Sequence, residues 1–244
     1  MTLKRKPPAG NVRRVASIGK NIRGVTTNKR GRLVQFESEQ ERKLILLLER
    51  DATVTDYISQ PETLTYYDDE GRERRYTPDF QVWRNNGRIE VHEVTIEQRQ
   101  QTQAQRAIAA AAICRQRGWT YHIHTEKTLP TGYEYANLDF LASFRAQTYF
   151  HQESVDWWLA SLHEGETSAV QTALGQAPAT LSPGILLNTL YHLLWHNQVE
   201  MDWQQPFMRR GVIHPAAAVW LPTGTSQPAK AGTVGEMASC KQPH

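Results

Sequence analysis

Residues 75–96, RYTPDFQVWRNNGRIEVHEVTI, decide the fold. Asn85-Asn86-Gly87 is a hairpin signal, because these residues tolerate positive φ. It predicts that the β-rich run RYTPDFQVW turns back on RIEVHEVTI as an antiparallel neighbour. Side chains alternate faces along a strand, so Glu93 and Thr95 share one face while His92 and Val94 take the other. Asp79 lies in the first strand and Glu93 in the second, with thirteen residues between them, which allows two carboxylates to converge on one hard cation.

Upstream, ESEQERKLILLLER (37–50) reads as a helix with a dense apolar block, Leu44–Leu48, that would dock it on the sheet. Glu41 precedes that block and is a third acid for the same site. VTDYISQP and the β-type run TLTYY follow, then the turn DDEGRER. Downstream, residues 97–117 read as one helix with Gly118 as its C-cap, and WTYHIHT (119–125) returns as a strand. The order predicts an α/β sheet of modest size. From about residue 131 the pattern turns helical, through NLDFLASFRAQ, ESVDWWLASLH, ETSAVQTAL and PGILLNTLYHLLWHN. The short β-like segment QVEMDWQQPF comes next, which suggests a winged-helix type of unit. Four regions are therefore expected: a basic arm over 1–32, a nuclease-type domain over 33–130, a helical winged-helix-like domain over 131–221, and a polar, disordered tail over 222–244.

The net charge of +3 is unevenly spread. Residues 1–32 hold ten Lys or Arg and no acid, leaving 18 basic against 25 acidic side chains, a formal charge of −7, in the remainder. A basic arm on an acidic body favours a polyanionic partner, since neutralising phosphates releases counterions. Lys20, Arg23, Lys29, Arg30 and Arg32 are the candidate DNA contacts. Two cysteines exclude a disulfide framework, and no apolar stretch approaches the roughly 18 residues needed to span a bilayer. A reduced cytoplasmic setting fits.

With Glu41, Asp79 and Glu93 in place, the run from Phe36 to Val94 resembles the N-terminal domain of TnsA endonucleases. That family shows an ES–ER helix start, a QP dipeptide (here Gln60-Pro61), an R-Y-T-P-D-F strand and an E-V-K strand in this order. The resemblance covers about residues 23–125 and is looser in the helical part. It implies a restriction-endonuclease-like core of the PD-(D/E)xK type, with Glu41, Asp79 and Glu93 as catalytic acids and metal ligands for Mg2+, which Mn2+ can replace. It implies a substrate, the double-stranded DNA of transposon ends, cut at the 5′ ends while a TnsB-type recombinase cuts and joins the 3′ ends. It also implies contact with a TnsC-type AAA+ ATPase. Where the family has Lys, this chain has Thr95, which supplies no charge. The alternative is therefore an adaptor with weakened or lost chemistry. Arg99 and Arg106, seven apart on the helix after Glu93, are candidate compensating cations, with Arg99 favoured. Lys43 and His92 are expected to point away. His192 and His196 read as packing rather than zinc ligands, His122 and His124 as an exposed sheet face, and Trp157, Trp158 and Trp195 as core.

Overall fold

The computed structural model describes residues 22–146 and 151–223. Most of the tail, most of the arm, Lys20 and Cys240 lie outside the described residues.

The chain enters through a hairpin, β1 (Gly24–Thr27) and β2 (Leu33–Phe36), followed by helix α1 (Glu39–Arg50). Ser38 caps α1 by accepting the Glu41 N–H at 3.1 Å, with Glu39 and Glu41 in the first turn, where acids suit the helix dipole. Strands β3 (Val54–Ser59), β4 (Leu64–Tyr67), β5 (Glu73–Tyr76), β6 (Phe80–Arg84) and β7 (Ile89–Val94) follow. Helices α2 (Glu97–Gln100) and α3 (Ala104–Gln116) lead to strand β8 (Thr120–His124). The main sheet has the order β3-β6-β7-β8, antiparallel except for the parallel β7–β8 pair.

The expected β6–β7 hairpin is present, with Gly87 at φ 80° in its turn. RYTPDFQVW, expected as one strand, is two. Pro78 has no N–H to give a ladder, so the chain breaks between β5 and β6, and β5 pairs only with β4, outside the main sheet. The helix expected over 97–117 is likewise two, with Gln101–Gln103 between α2 and α3. From Gly24 onward the expected basic arm is a hairpin tied to β3. Asn28 Nδ2 donates to Asp56 Oδ1 at 2.8 Å, its Oδ1 accepts the backbone N–H groups of Arg30 and Arg32, and Arg32 pairs with Asp56 at 3.1 Å.

Each face of the sheet has its own cover. Leu44, Ile45 and Leu48 of α1 pack on Tyr57, Phe80 and Val82. On the other side Ala110 of α3 packs with Leu64 and Tyr76 of the β4–β5 hairpin.

The C-terminal part holds α4 (Gly132–Leu141), a 3-10 turn (Ala142–Phe144), α5 (Gln152–Ser161), β9 (Ser168–Ala169), α6 (Val170–Gly175) and α7 (Pro183–Trp195). Strands β10 (Glu200–Met201), β11 (Met208–Arg209), β12 (Val212–Ile213) and β13 (Ala218–Trp220) complete it, in a three-stranded sheet β10-β13-β9 and a β11–β12 hairpin. Trp158 and Trp195 are core residues as expected, and Trp158 Nε1 donates to the Leu186 carbonyl at 2.9 Å. His192 and His196 bind the carbonyls of Phe144 and Arg145, which assigns them to packing. No helix among the described residues is long and apolar enough to cross a membrane.

Leu46 of α1 belongs to the C-terminal core, not to the one its neighbours Leu44, Ile45 and Leu48 fill. Helix α1 therefore splints both halves. Truncation of Leu46 to Ala should cost about 2–4 kcal/mol, as cavity-forming substitutions do. Urea unfolding followed by Trp fluorescence, to which tryptophans of both halves contribute, should show that loss as a lower midpoint.

Candidate active site

The site is assembled where β5 and β7 end and β6 begins, with the first turn of α1 coupled to it through Glu41. The β6–β7 pairing sets Asp79, one residue before β6, next to the end of β7. Val94 N–H donates to Asp79 Oδ2 at 2.7 Å, and the Asp79 side chain is within hydrogen-bond reach of Glu93. Glu93 is buried, and its two oxygens are held separately: Tyr76 Oη donates to Oε2, and Arg106 Nη2 donates to Oε1 at 2.6 Å. Tyr76 Oη also lies 3.4 Å from Tyr121 Oη, and the Arg106 guanidinium stacks 4.7 Å from the Tyr76 ring centroid.

Glu41 is both a cap residue and a neighbour of this pair. Its Oε2 accepts the Glu37 N–H at 2.9 Å and its Oε1 accepts from Ser38 Oγ at 3.0 Å. Burial, then the charge of Asp79, pushes its pKa up to about 7. Burial likewise pushes Glu93 above the usual carboxylate range, against the lowering effect of Tyr76 and Arg106, while Glu41 adds to the rise. Carboxylates that raise one another in this way occupy one electrostatic neighbourhood. Glu41, Asp79 and Glu93 offer only carboxylate oxygens, and Glu41 is linked to the other two through charge rather than through a direct contact.

The structure separates the two compensating arginines. Arg106 touches Glu93, whereas Arg99 stands exposed on α2. The break between α2 and α3 invalidates the single-helix spacing that linked them. Thr95, at the position where Lys was expected, donates to Gln103 Oε1 at 3.0 Å, and the same oxygen accepts from Arg106 Nη2 at 2.9 Å. Lys43 lies 4.8 Å from the Tyr135 ring centroid, away from the acids. His92 faces away from Glu93, as alternation required.

The basic residues of the hairpin have partners within the chain. Lys29 Nζ binds the carbonyls of Asp51 and Val54, and burial lowers its pKa. Arg30, with its side chain 60% exposed, reaches Asp56 only at 4.0 Å. Arg23 lies just before β1.

Two contributors, Tyr76 and Gln103, were missed in the sequence, and a third, Gln60, was read only as part of the family pattern. Tyr76 and Gln103 carry no spacing signal, since they reach Glu93 and Thr95 only after the hairpin and α3 have packed. Gln60 is buried at φ 47°; its N–H donates to the Asp79 carbonyl at 2.8 Å and its Nε2 to Glu37 at 3.0 Å, so it connects two acid-bearing segments. A non-glycine residue at positive φ stores strain that a packed site repays. The Gln60-Pro61 dipeptide was the available signal.

His122 and His124 are not an open sheet face. Register aligns His122 with His92, and His92 Nδ1 lies 2.8 Å from His124 Nε2. Burial is the main reason the pKa values of His92 and His124 fall, to about 3 and about 4.

A carboxylate with a raised folded-state pKa stabilises the fold while protonated and loses that advantage as pH rises through its folded pKa. For Glu41 the window runs from about 4.5 to about 7. Without divalent metal, Glu41→Gln should therefore gain thermal stability relative to wild type between about pH 5 and pH 8. A relative gain of at least about 2–4 °C is the shift that ~1 kcal/mol produces in a chain of this size. Paired melting curves measure it; a difference independent of pH would mean that Glu41 ionises normally.

None of the curated proteins matches this chain. Residues 51–126 match a family model described as TnsA-like endonuclease N terminal. The match takes in Asp79, Glu93, Thr95, Gln103 and Arg106, and it begins after Glu41. Over that span, which includes the whole main sheet and α3, the chain is similar to the N-terminal domain of TnsA-like endonucleases.

Proposed function

We propose that this protein is the Mg2+-dependent endonuclease subunit of a heteromeric transposase, cutting the 5′ ends of the element. The adjacency of Asp79 and Glu93, with Glu41 coupled to both through charge, carries this reading, and the TnsA-like match over the first two supports it. Glu41, Asp79 and Glu93 would hold Mg2+, which activates water and stabilises charge on phosphate oxygens when bound. The chain's own residues supply the rest. Asp79 is fixed by the Val94 amide, and Tyr76, kept protonated by burial and by Glu93, acts as a hydrogen-bond donor. Arg106 is the cation nearest the missing Lys, and Thr95 positions it through Gln103. A fixed positive charge there would meet the charge that develops on a scissile phosphate.

The flanking regions complete the proposal. Exposed arginines of the first hairpin, with Lys20 and the rest of the basic segment, would contact phosphates. The C-terminal part, helices followed by short strands that we read as winged-helix-like, would meet the TnsB-type recombinase and the TnsC-type ATPase. A second reading has one observation in its favour: Arg106 and Tyr76 occupy both oxygens of Glu93. An acid so neutralised does not need a metal, as in an adaptor that keeps the fold and has lost the reaction.

A strand-resolved cleavage assay on transposon-end DNA with Mg2+ or Mn2+, with and without the recombinase, separates the two readings. The nuclease reading expects a 5′ nick that Asp79→Ala abolishes, that Arg106→Ala slows by about 100–1000-fold, and that Arg99→Ala leaves unchanged. A wild-type protein that supports transposition without any 5′ nick is the adaptor.

A further inference from the structure

On the opposite face of β7 from Glu93, we infer a second metal site, built from Glu90, His92 and His122 and suited to Zn2+. The inference does not rest on the nuclease reading. The register pairs His92 with His122 across the parallel β7–β8 ladder, and Glu90 lies two residues before His92 on the same face. One ligand atom from each of the three lies within 4.8 Å of the other two. His92 Nε2 is 3.1 Å from Glu90 Oε2, and His122 Nε2 is 3.9 Å from Glu90 Oε1. Tetrahedral zinc, with bonds of roughly 2.0–2.1 Å, keeps its ligand atoms about 3.4 Å apart. The two separations, each to a different oxygen of the Glu90 carboxylate, lie either side of that value.

His122 Nε2 is buried and has no hydrogen-bond partner, although its side chain as a whole is 40% exposed. Hydrogen bonding alone accounts for His92, which can donate from Nε2 to Glu90 and accept at Nδ1 from His124. It leaves His122 unexplained, and a shared ion does not.

A second layer of contacts holds the ligands. His124 Nε2 sits 2.8 Å from His92 Nδ1, which lets Nδ1–H donate there and frees the Nε2 lone pair for a metal. Arg84 Nε fixes Glu90 Oε1 at 2.7 Å, and Arg84 is itself shared with Asp51 at 2.6 Å, so its charge is not directed at Glu90 alone. Outer partners of this kind orient metal ligands. Three protein ligands beside a partly exposed histidine leave a fourth position for water. Imidazole selects zinc over Mg2+, so this site and the all-oxygen acids would take different ions. An ion here would clamp β8 to β7, the strand whose other face presents Glu93.

The test uses the untagged full-length chain, stripped with chelator and dialysed against Zn2+ in excess Mg2+, with bound metal counted by elemental analysis. One zinc per chain is expected in wild type and in Asp79→Ala. Binding should weaken at least about 100-fold in His122→Ala and about tenfold in His124→Ala, where only an outer contact is lost. Co2+ spectra should show the same loss in His122→Ala, with circular dichroism confirming that the variant is folded. If His122→Ala does not fold, Glu90→Gln serves in its place. Wild type without zinc, a folded ligand variant that binds as wild type does, or zinc lost only in Asp79→Ala would each overturn the inference.

Discussion

The pairing of β6 with β7 is the constraint on which the site depends. A two-residue shift along that hairpin would move Asp79 away from the Val94 amide and from Glu93. The pairing is fixed by the turn at Asn85–Gly87 and by Phe80 and Val82, which are fully buried under α1. A slip of one residue would turn those side chains to the wrong face. The same core that stabilises the sheet therefore sets the separation of two carboxylates. The strand break at Pro78 lets β5 leave the sheet, so that Tyr76 can cover Glu93 from the α3 side.

Keeping acids partly out of water is unfavourable, and the fold answers it with specific donors. Glu93 receives Tyr76 and Arg106, Asp79 receives a backbone amide, and Glu41 is bound by the Glu37 N–H and Ser38 Oγ. Glu41 still ionises only near neutrality, because its donors do not offset burial and the charge of Asp79. In the proposed enzyme this residual repulsion favours a cation. Arg106 is a fixed countercharge, delivered from α3 rather than from β7, so Thr95 does not leave the acids without a neighbouring positive charge.

The two faces of β7 differ in chemistry. Odd-numbered positions present Val91 and Glu93 towards Tyr76 and Arg106. Even-numbered positions present Glu90 and His92 to the histidines of β8. Asp79 and Glu93 on one side and a mixed nitrogen and oxygen set on the other would be separated by one strand's thickness, and their differing donors would keep the two metals apart.

The hairpin, helix α1, the opposite facing of Glu93 and His92, and the packing roles of Trp158 and the His192–His196 pair were legible in the sequence. Each follows from local periodicity or turn chemistry, which act over a few residues. Glu41 was legible as a third acid from its place just before the apolar block of the helix, and the family resemblance pointed to the same residue. Tertiary structure alone decided that Arg106 rather than Arg99 meets Glu93, that Gln103 joins Thr95 to Arg106, and that four side chains of β7 and β8 cluster behind the acids. The physical reason is that such contacts depend on where α3 and β8 pack against β7. That placement is set by burial of Ala110, Leu64 and Tyr76 and by a parallel register, neither of which leaves a periodic trace in the chain.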